Sequence, residues 1–511
     1  MSTTATPKLT VWPAGSGARK LTLDAEVIAF QAQNAITSPT GSWSVTLLPG
    51  FGGPQRSGSA GRVSELIRLL QPQSVVSLGF DVRGGITMGL VRTVREAKVM
   101  RGNQVTVGVV VQGSTMGFTL TQATLVNARF SKADQDTAFY KALVSLVGED
   151  SPIVGYVPVL LGPPSGNASD PTSTFLGATI PDVVDWILTR APSMRLPLLK
   201  QAKGGDGTVG DYIDTTYCVT SWPGQRVYSD SLQHYQGTVW GFLQAAIDID
   251  FYEVFLDTRP VDGAELPALD LVLRPKPYDD NVLRVMPVSD AIGVRWPDLK
   301  TRWKGKSQHQ VELDQVLQLD LGWTSDDAFT WYTCTSSTDI AASPASIGTG
   351  LAFPAMDMWG VQKFDLRPMA ATLNLLGPDV LKKIQGDEDY AQTMLTDTLE
   401  FRNRLVNWYR FNPFFTSGQI TIRGKDEYRC GEPYWLPWAT PRVGNEVGMR
   451  MYCTGTVHSW RLGGEYEVTL DLVRGYNRGS IDAAKQEIAR GAPEDNPSQL
   501  IAVGLEDRSG R

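Results

Sequence analysis

Apolar and polar residues alternate over short spans from Leu9 to Val126, the period-two pattern of half-buried strands. Leu21 to Phe30, Gly41 to Leu48, Gly79 to Val82, Gly85 to Val91, Gln104 to Val111 and Gly117 to Leu120 each fit it, and Gly-rich turns separate them. One helix-like run, Val63 to Leu70 before Pro72, interrupts the series. Evenly spaced strands with one short helix predict a small barrel or sandwich. Beyond residue 131 the pattern changes. Ala138 to Val147 and Pro181 to Leu188 read as helices, the second with Pro181 where a missing N–H costs least, and a Pro/Gly/Ser/Asn loop from Pro163 to Thr174 lies between them.

Trp240, Leu243, Ala246 and Ile247 share a helical face, after which the period returns to two at Phe251 to Leu256 and Leu269 to Arg274. That order predicts a helix packed on a hairpin. A second β-rich region spans Ala291 to Ser336, and a long helix is predicted from Pro378 to about Tyr409, with Ala391, Leu395, Leu399, Arg402 and Val406 along one stripe. Strands resume at Gly418 to Gly424, Met449 to His458 and Tyr466 to Leu472. After Arg474 the chain turns polar, which predicts an appended tail with one short helix. Both ends thus consist of strands that enclose a helix, as if two barrels of similar plan flanked the middle. The fold class expected is mainly β with α+β insertions: a first barrel at 1–130, a loop-rich insertion and bracing domain at 131–300, a second barrel with an inserted long helix at 301–475, and a polar tail at 476–511.

The chain of 511 residues is 42% hydrophobic and 20% charged, with mean hydropathy −0.15, a composition that excludes disordered and collagenous classes. The longest apolar stretch, around Ile153 to Leu161, is too short and too broken by Pro and Gly to span a bilayer, and Met1 to Thr10 lacks a signal-peptide core. Synthesis in a cytoplasm is therefore expected. Cys218, Cys334, Cys430 and Cys453 form no C-x-x-C pair, so they are expected to be buried apolar groups and not zinc ligands or disulfides. Charge is uneven: residues 1–130 hold 12 basic and 5 acidic side chains, whereas 131–260 hold 8 and 15 and 261–511 hold 27 and 34. The basic block contains no Lys/Arg run, which favours an exposed or interface face over sequence-specific DNA reading.

Enzymatic motifs are sparse. His234, His309 and His458 form no H-E-x-x-H or H-x-H pair, and no G-x-S-x-G elbow occurs. Gly305-Lys306-Ser307 mimics the end of a P-loop, but the glycine needed five positions before Gly305 is Lys300. A glycosidase needs only two carboxylates, so Asp248/Asp250, Asp279/Asp280, Asp326/Asp327 and Asp387/Glu388/Asp389 qualify by type. Each also fits a turn or helix-end role. Fourteen tryptophans, among them Trp296, Trp303, Trp323, Trp331, Trp359, Trp408, Trp435, Trp438 and Trp460, are too scattered for a sugar platform and suit cores and a large subunit interface.

Phe251-Tyr252-Glu253-Val254-Phe255-Leu256-Asp257, a loop, and Leu273-Arg274-Pro275-Lys276-Pro277-Tyr278-Asp279 resemble the central signature of baseplate hub proteins of contractile-tailed bacteriophages, F-x-E-x-F-x-D before L-R-P-x-P-[FY]-D. Further stretches resemble the family in the same order: Ser42 to Leu47, Ser417 to Gly424 with Tyr428 to Glu432, and Tyr452 to Trp460 with Thr469 to Gly475. The resemblance covers roughly residues 8–475. It implies two tail-tube-like β-barrels and a homotrimer whose six barrels imitate the six-fold tail tube and adapt it to a trimeric central spike. It further implies a location in the virion tail baseplate and contacts with the tail tube or a tube-terminal protein, the spike and the baseplate wedge or peripheral proteins. The tape measure protein, and later DNA, would pass through the lumen without sequence-specific binding. Some relatives carry a fused muralytic or spike domain, which the roughly 36 residues after Arg474 are too few to hold. No residue is expected to serve catalysis, a cofactor or a metal, and no membrane segment is expected. The rival readings are a tail-associated hub of a non-contractile phage or a phage-derived injection system and, in a different class, a peptidoglycan or polysaccharide hydrolase using an acidic pair.

Overall fold

The structure, a computed structural model, describes all but short stretches of residues 6–126, 236–278 and 354–376, the whole of 309–336 and 390–490, and isolated strands at Ile213–Asp214, Arg226–Val227 and Leu500–Ala502. The helices expected within 138–188, the loop at 163–174, the first part of the long helix from Pro378 and the residues Cys218, His234, Trp296, Trp303 and Gly305 to Ser307 lie outside the described residues.

The architecture is mainly β, organised on one large antiparallel sheet. The first half supplies β1 (Lys8–Trp12), β2 (Leu21–Thr22), β3 (Val27–Ala35), β4 (Ser38–Leu47), β5 (Val75–Gly79), β6 (Thr87–Arg101) and β7 (Gln104–Thr115). A hairpin of β8 (Tyr252–Arg259) and β9 (Ala268–Pro275) lies in the middle of the chain. The second half supplies β10 (His309–Gln310), β11 (Val316–Gly322), β12 (Thr416–Arg423), β13 (Pro433–Leu436), β14 (Met449–Arg461) and β15 (Tyr466–Tyr476). The sheet order is β11-β12-β15-β14-β3-β4-β7-β6-β5-β1-β2, with β13 on β14 and β10 on β13. The two β-rich ends expected from the sequence therefore share one sheet. The seam is β3 on β14, in register from Gly455 opposite Ala35 to Arg461 opposite Ala29.

Each half has its own core. In the first, α1 (Ser59–Leu69) turns Val63, Leu66 and the following Leu70 inward at helical spacing onto Leu9, Val45, Leu78 and Val109. Trp43, of the S-W-S-V-T-L strand, lies in a slot made by two glycines, and its indole N–H donates to the Ser114 carbonyl at 3.1 Å. A Cβ on Gly113 would stand 2.2 Å from both that ring and the Leu90 carbonyl oxygen. Gly113→Ala is accordingly expected to lower stability by about 1–3 kcal/mol through overpacking, read as a fall in the thermal midpoint. In the second half, Val311, Ile420, Ile422, Tyr434, Met451, Val468 and Leu470 form the core.

Between the halves lies a third core. Helix α2 (Phe118–Gln122) closes the first half. Helix α3 (Val239–Ala246), capped by Thr238 whose hydroxyl accepts from the Gly241 N–H at 3.0 Å, packs Phe242 and Leu243 against Phe251, Val254 and Leu271 of the hairpin, as the switch of period predicted. The short helix α4 (Met358–Phe364) adds Trp359 to the same core, next to a four-stranded sheet of residues 331–336, 355–357, 368–373 and 500–502. Helix α5 (Tyr390–Tyr409) contributes Phe401, Leu405, Val406 and Trp408.

The polar C-terminal segment is not simply an appended tail. Strand β15 runs on to Tyr476, and Arg478–Arg490 forms α6. Ile481, Ala484 and Ile488 repeat at helical spacing and are buried in the central core. The Asn477 side chain caps α6 by accepting from the Ser480 N–H at 2.8 Å, and the Ser480 hydroxyl accepts from the Asn477 N–H at 2.9 Å. Three well-spaced apolar positions outweigh the polar composition of this stretch.

Candidate functional site: a buried junction and an open sheet edge

The F-x-E-x-F-x-D residues sit two apart, so Phe251, Glu253, Phe255 and Asp257 project from one face of β8. That face docks on the second half. Glu253 accepts from the Tyr452 hydroxyl through both carboxylate oxygens, at 2.7 and 2.8 Å. Phe255, with its cross-strand neighbour Val272, joins the second-half core. Asp257 lies 3.8 Å from the Arg429 guanidinium, and both are buried. Phe251 packs edge-on to Phe401 at 4.8 Å between ring centres. The intervening residues Tyr252 and Val254 face the central core.

The L-R-P-x-P-Y-D segment completes the junction. The Lys276 ammonium donates to the Tyr409 hydroxyl at 2.8 Å. The Tyr278 ring lies under the Arg474 guanidinium, 4.0 Å from ring centre, and Phe415 flanks the same guanidinium at 4.6 Å. Arg474 also donates to the Asn412 side chain at 3.1 Å, and its backbone is held at φ +56°. Arg429 reaches further, donating to the Gly85 carbonyl of the first half. Residues 253, 257, 276, 278, 429, 452 and 474 come from separate stretches of the signature, and the fold brings them to one place.

Desolvation dominates the electrostatics here. Burial lowers the Lys276 pKa and raises that of Asp250, the two partly offsetting each other. Burial pushes Tyr278 up to about 12 although Arg474 opposes it. Asp357, raised by burial, is held by Arg410 at 3.2 Å. Buried cations thus lie among buried carboxylates and aromatic faces, an arrangement that fixes one packing of the halves.

Among the described residues the candidate catalytic groups do not gather. Asp326 and Asp327 are exposed on a turn, where the Asp326 N–H donates to the Thr324 hydroxyl and the Asp327 carbonyl accepts from Asn412. Asp250 belongs to the buried junction, while Asp248, Asp279, Asp280 and Asp387 to Asp389 lie outside the described residues. His458 is buried and bonded to the Tyr466 hydroxyl at 2.6 Å, and burial with nearby Arg429 lowers its pKa to about 3. His309 pairs with Glu432 and stacks on Tyr434 at 5.0 Å. Cys334, Cys430 and Cys453 are buried, and burial raises the Cys430 and Cys453 thiols, the reverse of what a nucleophile needs. Among the described residues no cluster of three or more His, Cys, Asp or Glu could hold a metal, and no helix is long and apolar enough to cross a membrane.

The second feature is β11, which ends the sheet and pairs only with β12 among the described residues. Its side chains are half-exposed or exposed throughout, with Leu317 and Leu319 in the open, and the flanking Leu313 and Trp323 are exposed as well. Of the tryptophans expected in cores or an interface, Trp323 is exposed, at 62%, whereas Trp359, Trp408 and Trp460 are buried. The signature motifs identified the junction residues, but nothing in them marked β11.

No protein-family profile and no curated protein matches the chain. Among solved structures it is similar to the tail protein from Neisseria meningitidis MC58, with a TM-score of 0.44 and 10% identity over 93% of this chain and 99% of that one. It is also similar to the 43 kDa tail protein of prophage MuSo2 from Shewanella oneidensis, with a TM-score of 0.42 and 10% identity over 93% and 99%. A third is an E. coli protein described as a component of the type VI secretion system with structural similarity to T4 bacteriophage tail proteins, with a TM-score of 0.39 and 8% identity over 91% and 77%. At these values the likeness is one of outline.

Proposed function

We propose that this chain is a non-enzymatic structural subunit of a phage-type tail, a baseplate hub of which three copies close a ring between the tail tube and a central spike. The observation that carries this reading is the convergence of the signature residues on one buried junction that ties both β halves to the central hairpin. A subunit that presents two β halves in fixed relation lets three copies imitate six tube subunits, and the Arg429 link from Asp257 to Gly85 supplies such rigidity. The descriptions of two of the similar solved structures name tail proteins. On this reading the tail tube or its terminal protein sits on one face and the spike on the other. Wedge or peripheral proteins pack outside, and the tape measure protein and DNA pass through the lumen. The virion tail baseplate is its location, after assembly in the host cytoplasm.

Light scattering on the purified chain, alone and mixed with its cognate spike, tests this. A species at three times 55.9 kDa, about 168 kDa, before spike mass is added, is expected from a closed cyclic trimer. A monomer in both samples at all concentrations overturns it. A monomer that also clears peptidoglycan on a zymogram would replace it with the hydrolase reading.

A further inference from the structure

Two stretches of apolar face outrun the cores that they belong to. In β7 the residues Val107, Val109 and Val111 alternate onto one face. Val109 and Val111 are buried at 0% and 3%, whereas Val107 is 47% exposed. Its cross-strand neighbour is Lys98 of β6, which is exposed together with Arg95. The end of the β6–β7 hairpin therefore projects beyond the first core with its inward stripe uncovered. In β11 the same occurs at the far end of the sheet. Leu319 stands opposite the fully buried Ile420, on the face that forms the second core, yet is 51% exposed.

The charges of the two places are complementary. β6 and β7 together carry Arg92, Arg95, Lys98 and Arg101 against Glu96 alone, whereas residues 309–336 carry Glu312, Asp314, Asp320, Asp326 and Asp327 and no Lys or Arg. Arg92 is engaged over the Phe118 ring at 4.0 Å, whereas Arg95 and Lys98 are exposed, Lys98 on the Val107 face and Arg95, opposite Val110, on the other. The two stretches lie six strand steps apart in the sheet order, and each is left exposed by its own chain.

We propose that the projecting β6–β7 hairpin of one copy docks edge-to-edge on the β11 edge of a second copy, its Val107 and Lys98 on the face of Leu319 and near Asp314, and its Arg95 on the other face, that of Asp320. The contact joins different surfaces of identical chains, so it is heterologous and propagates round a closed axis. It covers the edge of β11 that has no partner among the described residues, the kind of edge that is prone to irregular association. It rests on the ring reading and names the surfaces that build the ring.

The test compares the full chain with Arg95→Glu/Lys98→Glu, with Asp314→Lys/Asp320→Lys, and with all four changes together, by sedimentation over a concentration series. All four positions are exposed, and circular dichroism checks that each variant folds. Either double variant is expected to weaken self-association by at least about 10-fold, and the fourfold variant to recover it, since opposite charges again face each other. A carbodiimide reagent is expected to join Lys98 to Asp314 between copies in the unmodified chain. If the trimer forms equally well in both double variants and the cross-links fall elsewhere, this contact is wrong and the ring stands on another surface. If the unmodified chain, with or without spike, never self-associates, the ring reading fails and this contact with it.

Discussion

Arg429→Met is expected to destabilise the folded chain by about 3–5 kcal/mol, among the largest single-residue effects in the molecule. The side chain is 7% exposed and binds three parts of the fold: the carboxylate of Asp257 in the hairpin, its neighbour's Tyr428 carbonyl at 3.2 Å, and the Gly85 carbonyl in the first half. Methionine keeps much of the aliphatic bulk and removes the charge, so the loss measures the polar bridge and not a cavity. Asp257 then keeps its burial but loses its cation, the circumstance in which a broken buried pair costs most. Urea unfolding followed by tryptophan emission checks this. A second consequence separates the junction from an ordinary core contact: the variant is expected to unfold in two steps, because the bridge couples the halves. A single transition displaced by less than about 1 kcal/mol would show that Arg429 is an ordinary surface-like pair and that the seam of β3 and β14 alone couples them.

The same residues show how far the sequence could be read. Period-two alternation located β8 and β9, and the F-x-E-x-F-x-D spacing already implied that Glu253 and Asp257 share a face with Phe251 and Phe255. Alternation does not say what that face meets. Tyr452, Arg429 and Arg474 lie 172 to 199 positions from Glu253, Asp257 and about as far from Tyr278, and only the fold pairs them. The continuity of the two β-rich ends was hidden for a similar reason. A strand's apolar pattern tells which face is buried but not which strand lies beside it, so β3 and β14 read alike whether or not they pair. The short helix expected after Arg474 is present, but its burial was obscured by composition, since Ile481, Ala484 and Ile488 are a thin stripe among charged neighbours. In β11, Leu317, Leu319 and Leu321 alternate as well as any core strand does. Leu317 and Leu319 are nevertheless exposed, because no strand lies beyond β11 among the described residues, which alternation within the segment does not reveal.

Acidification is expected to loosen the second half through His458, whose imidazole is 1% exposed and stacks beside Tyr466. Its folded pKa of about 3 lies below the ordinary 6.5, because burial and the Arg429 charge both disfavour the imidazolium. The folded chain therefore binds fewer protons at this site than the unfolded chain does between those two values. Stability contributed here is fully present above about pH 6.5 and is lost as the pH falls toward about 3, amounting to about 3 kcal/mol by pH 4. Asp250 and Asp357 act in the opposite sense, since their raised carboxyl groups take up protons more readily in the folded state. The comparison that isolates the imidazole is therefore with His458→Gln, which can still accept from the Tyr466 hydroxyl and does not titrate. Urea midpoints at pH 7 and pH 4 are expected to separate for the unmodified chain by more than for the variant. Equal separation in the two proteins would mean that the ring is protonated without cost and that acid acts elsewhere. Arg429→Met with His458 kept should also narrow the separation relative to the unmodified chain, because that guanidinium is one of the two causes that hold His458 neutral.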